Sequence, residues 1–517
     1  MKYITPKQMK ELENSSEAAG VSKSVLMENA GAAVAMLVAE KMGYIDLEGG
    51  ATILCGEKNN AGDGFCAALN INEMGIPVTV ILLCGEPATG IAYDRYEQVL
   101  NTPGITVFLP HNDISSIFSV LSHSGVIIDA VFGTGFKPER GLPETVRICF
   151  DYVKHTTALK IAVDLPSGGD ALTGECDVNT FKADYTVTFA FPKTGMGISP
   201  LQTLCGEIIT ADIGVPKSCI SKLPIVDDVS PDFKKIFHKR KIDSYKYDFG
   251  RVLCIMGSSR MSGAAQKAVK SAFRSGCGLI TLASSKEVID RIGGHIPQSM
   301  FYPLSSDKNG FITSAGVPVL LKSGYDVVAV GCGMGVTAET QKVVSDILKS
   351  DIPVKIIDAD GINALSENIE LLKEAKGTIC LTPHAAELAR LCGVTASEAA
   401  ADRSLFAAKL AREYGVYVLA KGVPNFIASP DGSIGRLFAG NPALAKGGSG
   451  DCLAGILAGI FAGNKKTDAT AAEIITGAVA LHGLAADIAR DKFTEISADS
   501  GDVIDSIHLA LIKVLKG

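Results

Sequence analysis

Short apolar runs recur along this chain, separated by stretches whose apolar positions follow helical spacing. In the first half the runs fall at 51–56, 77–85, 105–110, 126–132, 160–165 and 184–191. Most are continuous rather than alternating, which suits parallel strands covered on both faces. A long helix-like stretch, 25–42, precedes them. This half reads as a doubly wound α/β sheet. The pattern breaks after Gly214, where several prolines lead into KKIFHKRK. It restarts with runs at 251–256, 279–283, 326–330, 355–358, 378–382 and 416–420. The expected organisation is therefore a first domain at 1–220, a linker at 221–240 and a second α/β domain at 241–517. No short repeat or low-complexity tract interrupts it.

Length supports two domains, because one hydrophobic core stops growing near ~250–300 residues and the chain has 517. Its 47% hydrophobic content is enough for two buried cores, and the net charge of −7 argues against nucleic-acid or anionic-membrane binding. The N-terminal stretch carries no signal-peptide pattern. The apolar run 452–463 is about half a membrane span and reads as a buried helix. The 13 cysteines lack paired spacing, and several sit inside apolar runs. They read as reduced core thiols of a cytoplasmic protein.

Three polar, glycine-rich segments end first-domain strands. They are CGEKNNAGDG after the first run, GTGFKPERG after the run holding Asp129, and DLPSGGD with Asp164 and Ser167. Ligands of open α/β sheets collect at the carboxyl ends of strands, so the three segments should converge. The first is an anion site if loop amides and a helix N-terminus face the ligand, and an ordinary tight turn otherwise. Asp164 is either a turn cap or a reactive carboxylate.

In the second domain the strongest signal is AGNPALAKGGSGDCLAGILAG, 439–459. Amides of Gly448, Ser449 and Gly450 can surround phosphate oxygens at a positive helix end. Asp451 then stands where a base must be to deprotonate a hydroxyl attacking a phosphoryl group. The competing role for Asp451 is a helix cap.

The first-domain motifs LMENAG (26–31), NNAGDG (59–64), DAVFGTG (129–135), DLPSG (164–168) and FPKTG (191–195) resemble the NAD(P)HX epimerase family. That resemblance implies a Rossmann-like three-layer sandwich. It implies hydrated-cofactor contacts at Asn59, Asn60, Gly62 and Asp63, and a 133–139 loop, with Gly133, Thr134 and Gly135, over the pyrophosphate or ribose. It also implies a potassium ion held by Asn60, Asp129 and Ser167. Ala61 stands where the family usually has Gly. The substrate carries a hydroxyl on a ring carbon beside the ring nitrogen, which can expel it. Asp164 is the acid/base candidate for its loss and return, and Lys193 either assists electrostatically or contacts phosphate.

The 439–459 segment resembles ribokinase-like enzymes. With GRVLCIMGSSRMSGAAQKAVKSAFRSGCGLIT, IIDADGINAL, LTPHAAELARL and AKGVPNFIASPDG it is similar to the NAD(P)HX dehydratase family. The resemblance implies hydrated-cofactor contacts at Ala264, Gly333, Gly335, His384 and Asp451, and nucleotide contacts at Lys421, Gly422 and the Gly450 amide. His384 is otherwise a satisfied histidine at a helix start. Cys332 stands where the family usually has Pro. Phosphoryl transfer would turn the hydroxyl into a better leaving group. ADP is the implied donor, with ATP possible, and magnesium would bridge its phosphates. Expected partners are NADHX and NADPHX, with no nucleic acid or membrane, in a homo-oligomer. The alternative is a ribokinase-like vitamin or sugar kinase with an N-terminal nucleotide-binding regulatory domain, since fold alone does not decide function.

Overall fold

The computed structural model describes residues 2–44, 49–109, 114–220, 223 and 225–516. It divides into two compact units, Met1–Ile225 and Val226–Gly517.

The first unit is built on seven parallel strands: β1 (Ala51–Cys55), β2 (Val78–Leu82), β3 (Ile105–Phe108), β4 (Val126–Ala130), β5 (Leu159–Val163), β6 (Tyr185–Phe189) and β7 (Glu207–Ala211). They lie in the order β3-β2-β1-β4-β5-β6-β7. Successive side chains point to opposite faces, so Ile53 and Cys55 pack with Val34, Phe65 and Tyr96 from helices on one side. Leu54 packs with Ile117, Val146 and Phe150 from helices on the other. The result is the expected three-layer sandwich. Strand order reverses between β1 and β4, which opens a crevice above their carboxyl ends. The LMENAG motif serves packing. A Cβ on Gly31 would lie 2.3 Å from the Cβ of Cys66, so only glycine lets the helix Lys23–Tyr44 approach the helix Asn59–Glu73.

The second unit contains β8 (Val226–Asp228), β9 (Arg251–Ile255), β10 (Leu279–Ser285), β11 (Met300–Leu304), β12 (Val327–Val330), β13 (Val354–Ile357), β14 (Thr378–Leu381), β15 (Tyr417–Ala420), β16 (Asn425–Ala428) and β17 (Ile434–Leu437). Within the unit they run β8-β17-β16-β15-β14-β13-β12-β9-β10-β11. The pairings from β15 through β11 are parallel. β16 is antiparallel to both its neighbours. The helices Ser262–Arg274, Ser449–Gly463 and Ala471–Ser497 contribute to one core with the strands. Small residues set the first contact, where a Cβ on Gly455 would strike the Ala268 carbonyl at 2.1 Å.

Two expectations change. The segment 221–240 is not a linker throughout: Val226–Asp228 is a strand of the second sheet, and Phe233–Ile236 is a short helix whose Ile236 is buried in that core. Residues 221, 222 and 224 lie outside the described residues. The prolines hid a strand of only three residues, too short to leave an apolar run. The run at 105–110 ends as a strand at Phe108, and Pro110 also lies outside the described residues. The helix Ser449–Gly463 is buried as expected. Among the described residues Ala471–Ser497 is a single helix long and apolar enough to cross a membrane, and two thirds of its apolar window is buried in the unit.

Candidate functional sites

In the first unit NNAGDG does not form a loop. β1 ends at Cys55 and the helix begins at Asn59, so the motif is the first turn and a half of that helix. Asn59 is exposed and Asn60 buried, its Nδ2 without a partner. Gly62 faces Met27, whose Sδ would lie 2.6 Å from an added Cβ. Its small size serves packing there. Asp63 is half-buried, and burial pushes its carboxyl well up, with Asp164 and Glu13 adding to the shift.

Asp129 is the penultimate residue of β4 and is fully buried. Its Oδ2 accepts the Ser167 amide at 2.7 Å, and its Oδ1 accepts the Ser167 hydroxyl at 2.6 Å and the Val131 amide at 3.2 Å. Burial raises its pKa to about 6 despite these bonds. Ser167 Oγ also accepts the Phe132 amide at 2.8 Å. A Cβ on Gly133 would lie 3.3 Å from Asn60 Oδ1. Asn60, Asp129 and Ser167 therefore converge on the turn at Phe132 and Gly133. Thr134 and Gly135 continue that turn, closed by the Phe136 amide on the Gly133 carbonyl at 3.2 Å. Lys137 ties it to the DLPSGGD loop through Asp170 at 2.7 Å.

Asp164 holds the left-handed backbone conformation, φ 66°, a strained state for a non-glycine residue that persists where surrounding structure enforces it. Its Oδ1 accepts the Lys193 ammonium, the Thr188 hydroxyl at 3.2 Å and the Phe189 amide at 3.4 Å. Lys193 is fully buried, and its other bonds go to Thr188 Oγ1 at 3.1 Å and the Phe189 carbonyl at 3.3 Å. Its three hydrogens are thus committed around Asp164, which leaves none for a phosphate. Glu13, on the helix Pro6–Ala18, was not legible as a site residue. Burial, and then the Asp164 charge, raise its pKa.

In the second unit the site lies at the carboxyl ends of β12, β13 and β14. Asp358, which follows β13, accepts Lys421 Nζ at 2.7 Å and the Thr382 hydroxyl at 2.6 Å on Oδ1. The Cys332 thiol approaches its Oδ2 at 3.6 Å. The helix Ser449–Gly463 begins with Gly448 as N-cap, φ 98°. A Cβ on Gly450 would lie 3.6 Å from Lys421 Nζ and 3.7 Å from Asp358 Oδ2. Asp451 sits in the first turn, and the N-cap position belongs to Gly448 instead. One ligand atom from each of Cys332, Asp358 and Asp451 falls within 4.8 Å of the others. Burial and the Asp358 charge raise the pKa of Asp451, while the Cys332 thiol, Lys267 and Lys421 oppose the rise.

Gly333, φ 64°, packs on the helix carrying Ala264, with 2.9 Å between a built Cβ and that of Ala264. The Gly335 amide donates to Asp360 Oδ2 at 2.8 Å. Gly422 lies under Arg403, whose guanidinium donates to the Lys421 carbonyl at 2.9 Å. His384 is the N-cap of the helix Ala385–Cys392: its Nδ1 accepts the Ala386 and Glu387 amides at 3.1 and 3.3 Å, and its Nε2 lies 3.4 Å from Glu387 Oε1. The helix-start role is real, and the ring is still half-exposed. Asp358, Thr382 and Arg403 were missed from sequence. Asp358 carried a readable signal, an aspartate at a strand's carboxyl end, whereas Thr382 and Arg403 carried none.

Residues 23–195 match the family model described as YjeF-related protein N-terminus, and residues 252–508 match NAD(P)H-hydrate dehydratase. The chain is 34% identical to the bifunctional NAD(P)H-hydrate repair enzyme Nnr of Thermofilum pendens, covering 92% of this chain and 89% of that protein. It is 33% identical to the enzyme of the same name from Moorella thermoacetica, covering 94% and 92%. Among solved structures it is similar to the ADP/ATP-dependent NAD(P)H-hydrate dehydratase of Bacillus subtilis co-crystallized with ATP and Mg2+. That match has 27% identity, a TM-score of 0.47 and coverage of 54% of this chain and 94% of that one. The chain belongs to the family of bifunctional NAD(P)H-hydrate repair enzymes.

Proposed function

We infer that the first unit epimerises the hydrated cofactors NADHX and NADPHX, and that the second dehydrates one epimer at the expense of a nucleoside diphosphate. The observation that carries this reading is the cluster at the start of the helix Ser449–Gly463. There Asp451, Lys421 and Asp358 surround loop amides that suit a transferring phosphoryl group.

In the second unit Asp451 takes the hydroxyl proton as the substrate oxygen attacks the terminal phosphorus of ADP. The phosphorus–oxygen bond to AMP breaks. The ring carbon–oxygen bond then breaks, and phosphate departs with the bonding pair. It takes the proton from the adjacent ring carbon, leaving NAD(P)H. Magnesium, when bound, would neutralise charge on the donor phosphates. Asp358 Oδ2, which carries only the long thiol contact, is a fitting protein ligand for it.

In the first unit Asp164 exchanges a proton with the substrate oxygen as the ring nitrogen expels hydroxide and water returns to either face. Lys193 keeps that carboxyl oriented through Oδ1. The oxygens of Asn60, Asp129 and Ser167 are hard donors from three segments, a chemistry that fits potassium. The 13 free cysteines fit a reducing, cytoplasmic setting.

The test is to give the full chain a mixture of both hydrate epimers with ADP. Complete recovery of reduced-nicotinamide absorbance, with AMP and phosphate formed in equal amounts, is expected. A phosphorylated product with no recovery of absorbance would instead establish a small-molecule kinase.

A further inference from the structure

We propose that Lys267 is a further catalytic residue of the dehydratase site, a cation that binds the phosphoryl group in transfer and the phosphate that leaves. This rests on the dehydratase assignment of the second unit.

Lys267 lies on the helix Ser262–Arg274, one turn after Ala264 and so on the same face. That helix is locked against Ser449–Gly463 where Gly455 meets the Ala268 carbonyl. The contact is one residue from Lys267, which is therefore held over the start of the partner helix. Its ammonium reaches the glycine loop. It donates to the Gly447 carbonyl at 3.3 Å, and a Cβ built on Gly448 would lie 2.2 Å from Nζ. Among the described residues no carboxylate lies within ion-pair distance of it, whereas Lys421 is already committed to Asp358 at 2.7 Å. Lys267 also acts electrostatically on Asp451. The loop thus has one cation tied to a carboxylate and a second held only by a long bond to a backbone carbonyl.

The chemistry calls for that second charge. As the substrate oxygen bonds to phosphorus and AMP leaves, negative charge spreads over the equatorial phosphoryl oxygens. When the ring carbon–oxygen bond breaks, that charge stays on the departing phosphate. Loop amides supply partial charges only, and the ammonium beside them supplies a full one. It need only trade its Gly447 contact for a phosphoryl oxygen.

The experiment uses the full chain as wild type, Lys267→Met, Lys267→Arg and Lys267→Gln. Turnover with ADP and hydrated NADH is followed by absorbance, and inorganic phosphate binding in the presence of AMP is followed by calorimetry. Lys267→Met should lose about 100-fold in kcat, the usual effect of removing one charge-stabilising donor, with KM for hydrated NADH nearly unchanged. Phosphate affinity should fall about tenfold or more, and Lys267→Arg should recover most of both. If Lys267 merely staples the loop, Lys267→Gln keeps the bond to Gly447 and will match wild type in rate and phosphate affinity, which overturns the proposal. Equal phosphate affinity in wild type and Lys267→Met also overturns it. Wild-type protein that binds phosphate through Lys267 but regenerates no NADH would sink the dehydratase assignment instead.

Discussion

Lys421 donates to Asp358 Oδ1 at 2.7 Å across 63 positions of sequence, and the Thr382 hydroxyl fills the same oxygen at 2.6 Å. The aspartate is 2% exposed in its side chain and the lysine 19%. The pair is a buried ion pair set beneath the glycine loop.

Breaking a buried pair from one side leaves an uncompensated charge, at a cost of about 3–5 kcal/mol. Lys421→Met should therefore destabilise the second unit by that order in urea unfolding and weaken ADP binding. The double variant Lys421→Met, Asp358→Leu should recover much of the stability but none of the binding. If the single and double variants are equally unstable, the lysine contributes through packing rather than charge.

Much of this was legible in the chain. Continuous apolar runs such as 126–132 placed most sheet strands, because a strand buried on both faces has no polar register to hide it. The three-residue strand Val226–Asp228 and the antiparallel strands Asn425–Ala428 and Ile434–Leu437 were not anticipated; they are short and their residues are mixed. The motif residues Asp129 and Asp164 fall at the carboxyl ends of first-unit strands, as expected, and Asp451 falls in the first turn of a second-unit helix. Lys267 matters through what it faces across the fold, which single-sequence spacing does not encode, whereas Asp358 stood legibly at a strand's carboxyl end. NNAGDG was misread as a loop because an N-terminal helical turn with asparagine and glycine has the composition of one.

As the proposed base, Asp451 needs to be ionised. Burial and Asp358 raise its pKa above the ordinary 3.8, so dehydration should fade as pH drops through that raised value. Asp358→Asn removes the like charge and should move the acid limb to lower pH. Asp451→Asn should melt near the wild-type temperature, bind ADP and lose nearly all dehydration while epimerising normally. An unmoved acid limb in Asp358→Asn would dissociate the two carboxyls.

His482 lies 5% exposed on the helix Ala471–Ser497, with Nε2 unpartnered. Burial, and then Lys421, depress its pKa from 6.5 to about 4. A depressed histidine stabilises the fold above its unfolded pKa, and that stability is lost as pH falls from 6.5 through about 4. At about 1.4 kcal/mol for each tenfold change the loss totals about 3 kcal/mol. His482→Leu should flatten the acid side of the second unit's stability curve. An unchanged slope would place the acid sensitivity elsewhere.

Asp129 gives the opposite sign. Its pKa rises from 3.8 to about 6, so its contribution to stability is fully present below 3.8 and is lost as pH rises through 6. Near neutral pH the ionised, buried carboxylate costs about 3 kcal/mol, a strain that a cation held with Asn60 and Ser167 would relieve. Potassium chloride should therefore raise the melting temperature of the first unit above pH ~7 relative to choline chloride at equal ionic strength. The difference should vanish as pH falls below ~4, where the carboxyl is protonated. Asp129→Ala should abolish it and lower epimerisation while leaving dehydration intact. Equal stabilisation by choline would reduce the effect to screening, and Asn60, Asp129 and Ser167 would then be a hydrogen-bonded clasp for the two loops rather than a metal site.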